Sequence, residues 1–178
     1  ENKIVLMENK ATCYRMLGRF QEAEKIMQYC YEEKINLYGK NSLHVEATQG
    51  EYATALLKVG KYEEAAALYI DLINKLEARD YATNGCFLYL NNLGNCYNAW
   101  GKPEEAVKVL LKALSLDSTS GTLGLGEGNY NLSVAYYKLG DIEKCIDRAR
   151  VSLGILEQAY GPDNAKVMQL KEYTKLEA

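Results

Sequence analysis

Four stretches of the chain align without a gap: KATCYRMLGRFQEA (10–23), YATALLKVGKYEEA (52–65), LGNCYNAWGKPEEA (93–106) and LSVAYYKLGDIEKC (132–145). The glycine near the middle of each, Gly18, Gly60, Gly101 and Gly140, returns at spacings of 42, 41 and 39 residues. A small residue precedes each glycine by two helical turns (Ala11, Ala53, Gly94, Ser133), and another follows it (Ala23, Ala65, Ala106, Cys145). Between them stand the larger plugs Tyr14, Leu56, Tyr97 and Tyr136, with Phe20, Tyr62 and Ile142 just past the turn. The glycine lets the chain leave one helix by a left-handed backbone, and small residues on both sides let two helices pack closely. Pro103 sits where a helix starts, a position that needs no amide hydrogen.

This spacing predicts first helices over about 3–17, 43–59, 84–99 and 125–139, and second helices over about 20–38, 62–79, 103–116 and 142–160. A last helix is expected from Asp163, with that aspartate as its cap. The units span 3–41, 42–82, 83–121 and 122–161 of a single repeat domain, with 162–178 a terminal or partial next-repeat helix. One hairpin cannot bury both of its faces, so the units must stack. The expected fold is all-α: a right-handed α-solenoid of antiparallel helix-turn-helix repeats, without strands.

The pattern resembles the tetratricopeptide repeat, whose signature is leucine-glycine, then tyrosine, then glycine, tyrosine and alanine. Leu93, Gly94, Tyr97, Gly101 and Ala106 reproduce it, with Pro103 in place of the aromatic. The period exceeds the usual 34 residues. Together with the linkers YGKNSLHVEA (38–47) and YGPDNAKVMQ (160–169), it resembles the long kinesin-light-chain type of repeat.

Chemistry at an active site needs converging groups, and the sequence supplies none. Its single histidine, His44, lies in a linker and reads as a turn or capping residue. The acid pairs Glu32 and Glu33, Glu63 and Glu64, and Glu104 and Glu105 fall on solvated faces of second helices, where acids near the amino end are favourable. GTLGLGEG (121–128) follows a helix and lacks the lysine and hydroxyl pair of a phosphate loop, so it reads as a flexible connection. Cys13, Cys30, Cys86, Cys96 and Cys145 form no CxxC pair and read as buried free thiols. No enzyme activity, cofactor or metal is expected.

Free thiols, and a start (ENKIVLMENK) without the pattern of a signal peptide, give an expectation of cytoplasmic residence. A net charge of -3 without long single-sign blocks gives no reason to seek nucleic acid, and no apolar run is long enough for membrane insertion.

First helices are expected to line the concave surface of the solenoid. Residues two or three, six and nine positions before each hinge glycine share one helical face. They are Asn9, Thr12 and Arg15 in the first unit, and Glu51, Thr54 and Lys58 in the second. Asn92, Asn95 and Asn98 follow in the third, then Asn131, Val134, Tyr137 and Lys138, with Asn91 and Tyr130 one step earlier. An asparagine amide both donates and accepts, so it can grip the main chain of an extended peptide. Peptide-binding kinesin-light-chain-like domains use an asparagine ladder, and the resemblance carries it to Asn9, Asn92 and Asn131, interrupted by Glu51. The lysine and arginine clamp of the repeats that bind chaperone tails is replaced by Glu8, Leu88 and Asn92. The expected function is therefore a non-enzymatic adaptor or scaffold that binds a protein or peptide segment in its groove. The alternative is structural assembly through the repeat ends or the convex face.

Overall fold

The computed structural model describes residues 2–79, 84–116 and 121–176. Nine helices are found among them and no strand: α1 (Asn2–Met16), α2 (Phe20–Tyr38), α3 (Leu43–Lys58), α4 (Tyr62–Glu77), α5 (Asn84–Trp100), α6 (Pro103–Ser115), α7 (Gly121–Leu139), α8 (Ile142–Tyr160) and α9 (Ala165–Tyr173). The expected unit boundary at 82 and 83 lies outside the described residues. Contacts divide the chain into two compact units, Glu1–Leu72 and Ile73–Ala178.

Every predicted hinge is a helix corner. Gly18, Gly60, Gly101 and Gly140 have φ of 73°, 83°, 76° and 75°, a region that side chains disfavour. Gly39 and Gly161 play the same part after α2 and α8, at 80° and 82°. The small residues flanking the hinges are buried: Ala11, Ala23, Ala53, Ala65, Gly94, Ala106, Ser133 and Cys145. Ser42 caps α3 by accepting from the His44 amide at 3.3 Å, and the His44 ring lies 4.8 Å from that of Tyr38. Asp141 caps α8 by accepting from the Lys144 amide at 3.2 Å.

Three expectations need correction. First, GTLGLGEG is not a flexible connection, because α7 begins at Gly121 and runs through it. Glycine costs about 1 kcal/mol in a helix, but here two of the glycines make room for neighbours. A β-carbon on Gly126 would stand 2.7 Å from Ile155 Cγ2, and one on Gly128 would stand 3.0 Å from Leu114 Cδ2. Ser152 Oγ adds a hydrogen bond to the Gly126 carbonyl at 2.8 Å, tying α8 to α7. Second, the cap of α9 is Asn164, whose Oδ1 accepts from the Lys166 amide at 2.9 Å, and not Asp163. Third, Cys13 is exposed, whereas Cys30, Cys86, Cys96 and Cys145 are buried. Only Ile4 and Ala11 of α1 are buried, and Cys13 falls outside that stripe.

In the second unit Leu110, Leu132, Cys145, Leu156 and Leu170 belong to one continuous core. Burial pushes the Cys96 thiol up to about 11, and burial with Asp141 pushes Cys145 up to about 11. An acid held protonated by the fold contributes stability that is fully present below its unfolded pKa of about 8.5 and is lost as pH rises through the folded value. The urea midpoint is therefore expected to be flat from pH 7 to 8 and to fall between about 9 and 11. In the variant Cys96→Ala with Cys145→Ala the fall should be shallower, relative to its own value at pH 7.

Candidate functional site

In the first unit α1 and α3 both pack on α2 and meet through side chains. Their meeting line is fixed by a polar cluster: Lys34 Nζ donates to Glu8 Oε1 and to Thr48 Oγ1, both at 2.7 Å, and Thr48 Oγ1 also donates to Glu8 Oε1. Beside the cluster lies a cavity of about 180 Å³ lined by Glu8, Thr12, Met27, Lys34, Ala47, Thr48 and Glu51. It adjoins a narrower recess that reaches Arg15.

The wall residues expected in this unit differ in availability. Asn9, Thr12, Glu51 and Lys58 are exposed and Arg15 is half-buried. Thr12 Oγ1 donates to the Glu8 carbonyl at 3.2 Å. Thr54 is half-buried, with its hydroxyl 3.0 Å from the Gly50 carbonyl and 2.9 Å from Tyr69 Oη, so it serves packing. Glu51, Arg15 and Lys58 make no ion pair among the described residues.

In the second unit the asparagines of α5 fall into two sets. Asn91, Asn98 and the partner Asn131 of α7 are 9%, 4% and 6% exposed, too little to meet a ligand. Asn131 Nδ2 donates to Asn91 Oδ1 at 2.9 Å, and Asn98 Nδ2 donates to the Asn131 carbonyl at 2.8 Å. Lys138 Nζ closes the lattice on the Asn98 carbonyl. These amides bind the two first helices to each other, and Asn98 Oδ1 is left buried without a hydrogen-bond partner among the described residues. Asn92 is half-buried and Asn95 exposed, and neither side chain hydrogen-bonds among the described residues.

Tyr130 is also occupied. Its hydroxyl donates to Gln169 Oε1 at 2.7 Å, and Gln169 Nε2 donates to Tyr173 Oη at 2.7 Å, which anchors α9. Burial, then Glu127, raises the Tyr130 phenol above its ordinary range. Lys166 pairs with Glu127 and lies over the Tyr130 ring. Tyr137 remains 46% exposed, its ring centroid 4.7 Å from that of Tyr173, and half-buried Val134 lies one turn before it. Tyr173 and Gln169 escaped sequence reasoning because α9 lies outside the four aligned stretches. Lys34 and Thr48 escaped it, and Glu8 was read only as the stand-in for a clamp lysine, because their link joins residues 26 and 40 positions apart.

Repeated helix corners with small-residue seams and polar faces on the first helices define a class of helical-repeat scaffold. Two models, each described as tetratricopeptide repeat, match residues 3–78 and 88–120. The chain belongs to the tetratricopeptide-repeat family, and it resembles kinesin-light-chain-like arrays.

A candidate kinesin light chain of Podosopora anserina with nearly identical TPR-like repeats is 16% identical, with a TM-score of 0.73 over 97% of this chain and 83% of that one. BtubC (BKLC) from P. vanneervenii is 18% identical, with a TM-score of 0.74 over 89% of this chain and 65% of that one. A MamA RS-1 double mutant is 15% identical, with a TM-score of 0.62 and 98% of each chain covered. At these identities the likeness is one of fold. No curated protein sequence matches the chain.

Tetratricopeptide folds generally mediate protein–protein interactions through a groove and are non-catalytic scaffolds. Among the described residues, no group of three or more His, Cys, Asp or Glu is placed to hold a metal ion. No helix there is long and apolar enough to cross a membrane.

Proposed function

We propose that the chain is a cytoplasmic adaptor or scaffold whose first-helix faces hold extended segments of a protein partner. The observation that carries this is the division of the asparagines on α5. Asn91 and Asn98 are engaged inside the fold, while Asn92 and Asn95, between them in sequence, make no side-chain hydrogen bond among the described residues. A free amide offers the donor and the acceptor that a peptide backbone requires. Val134 and exposed Tyr137 on α7 supply apolar area for side chains, and a tyrosine ring does so at low entropy cost. Four buried thiols agree with residence in a reducing compartment.

The test is selection of a displayed library of random twelve-residue peptides against the chain. Peptides selected on this face should lose at least tenfold in affinity, about 1.4 kcal/mol, in the variant Asn92→Ala with Asn95→Ala. Its urea midpoint should stay at or above the parent value, because neither amide is bonded among the described residues and alanine is the better helix former. Unchanged affinity for every selected peptide would contradict the reading.

A further inference from the structure

The cavity beside Glu8 differs in chemistry from the amide face of the second unit. Its hydrogen-bonding groups are largely arranged to accept. The Thr48 hydroxyl already donates to Glu8, and the Thr12 hydroxyl donates to the Glu8 carbonyl. Lys34 directs its ammonium to Glu8 and Thr48, which neutralises the Glu8 charge from inside. Glu51 is left on the rim as an exposed carboxylate without an ion pair among the described residues. What remains for an occupant is the Glu51 carboxylate and the lone pairs of Glu8 and Thr12, over an apolar floor provided by Met27, which is 5% exposed. Apart from the third Lys34 N–H, the open groups accept, and the rim carboxylate of Glu51 favours a donor-only group; the donor-only side chains that carry charge are lysine and arginine.

Size points the same way. About 180 Å³ is the room of roughly six water molecules, enough for a long side chain whose aliphatic stem lies on Met27 while its head reaches Glu51. Arg15 lines the adjoining recess with no ion pair among the described residues, and it repels a second cation there. The preferred segment therefore carries one basic residue at this point and not a basic run.

We infer that the α1–α3 cavity is a specificity pocket for a single lysine or arginine side chain of a partner segment, recognised by Glu51. This rests on the reading of first-helix faces as partner-binding surfaces. It names the chemistry that one of those faces selects.

The same displayed twelve-residue library tests it, with the chain and its Glu51→Gln variant as parallel targets. Glu51 is exposed and makes no ion pair among the described residues, so the variant keeps the parent urea midpoint. One class of peptides selected by the parent chain should carry Lys or Arg at a fixed position and no second base beside it. Binding of that class should fall at least tenfold in Glu51→Gln, and equally when the peptide base is changed to Gln. The two changes together should cost little more than either alone. The variant Glu51→Lys should instead select Asp or Glu at that position.

A selected set with no recurring base, or base-bearing peptides indifferent to Glu51→Gln, would overturn the pocket. Peptides that weaken in Asn92→Ala with Asn95→Ala but ignore Glu51→Gln would overturn it while leaving the broader function standing. Failure to select any peptide would overturn both.

Discussion

Alanine at Gly94 or Gly126 is expected to destabilise the second unit by up to about 2 kcal/mol, although the same change in an exposed helix interior stabilises. Glycine costs about 1 kcal/mol relative to alanine in a helix, so the methyl group begins with an advantage that the packing must overcome. At Gly94 the added carbon would meet Leu110 Cδ2 at 2.5 Å, and Leu110 is fully buried with nowhere to withdraw. At Gly126 it would meet Ile155 Cγ2 at 2.7 Å and Leu156 Cδ2 at 2.8 Å, with Ile155 Cβ at 3.1 Å, so a rotamer change alone does not clear it. Overpacking of this kind costs typically 1–3 kcal/mol.

Gly154 is the control. It lies in α8 with nothing within 4 Å of an added carbon, and Gly154→Ala is expected to stabilise by about 0.5–1 kcal/mol. Urea unfolding of the three variants checks the sign at each position. Stabilisation at all three would show that the helices do not approach as closely as described.

The second large effect concerns Asn131. Asn131→Ala removes the donor to Asn91 Oδ1 and leaves that oxygen buried without it, at a cost of about 1–3 kcal/mol. Asn91→Ala should cost a similar amount by stranding the Asn131 amide. The double variant should lose less than the sum, because the second substitution removes a group the first has already orphaned. A coupling of at least ~0.5 kcal/mol in that cycle is the expected result. Additive losses, or none, would mean the two amides do not serve each other.

What could be read from the chain before folding, and what could not, follows from the range of each interaction. Gly60 and Gly101 were legible as corners because a left-handed residue between two helices is a local demand. Ala53, Ala65 and Ala106 were legible because a seam of small residues has the helical period. The wall was legible only as a face. Asn91 and Asn92 are one residue apart, a rotation of about 100°, yet one is spent on the neighbouring helix and the other makes no side-chain hydrogen bond among the described residues.

Periodicity assigns a direction from the helix axis, whereas the partner in that direction comes from a residue 40 positions away, as Asn131 does for Asn91. A separation of about 30 positions likewise hid the meaning of Gly126, whose low helix propensity is visible in the sequence while its approach to Ile155 and Leu156 is not. Asp163 and Asn164 are both able to cap, and only the backbone path after Gly161 chose between them. The Glu8, Lys34 and Thr48 cluster had no local signature because each member comes from a different helix.

The central claim is that asparagines on one helical layer divide into those that hold the fold together and those that meet a partner. Side-by-side measurement of the urea midpoint and of affinity for one selected peptide tests it, using Asn131→Ala against the Asn92→Ala and Asn95→Ala pair. The account predicts opposite outcomes: a lowered midpoint in the first, and at least a tenfold loss of peptide affinity at a midpoint no lower than the parent's in the second. Parental stability in Asn131→Ala, together with unaltered peptide affinity in the Asn92 and Asn95 pair, would contradict it.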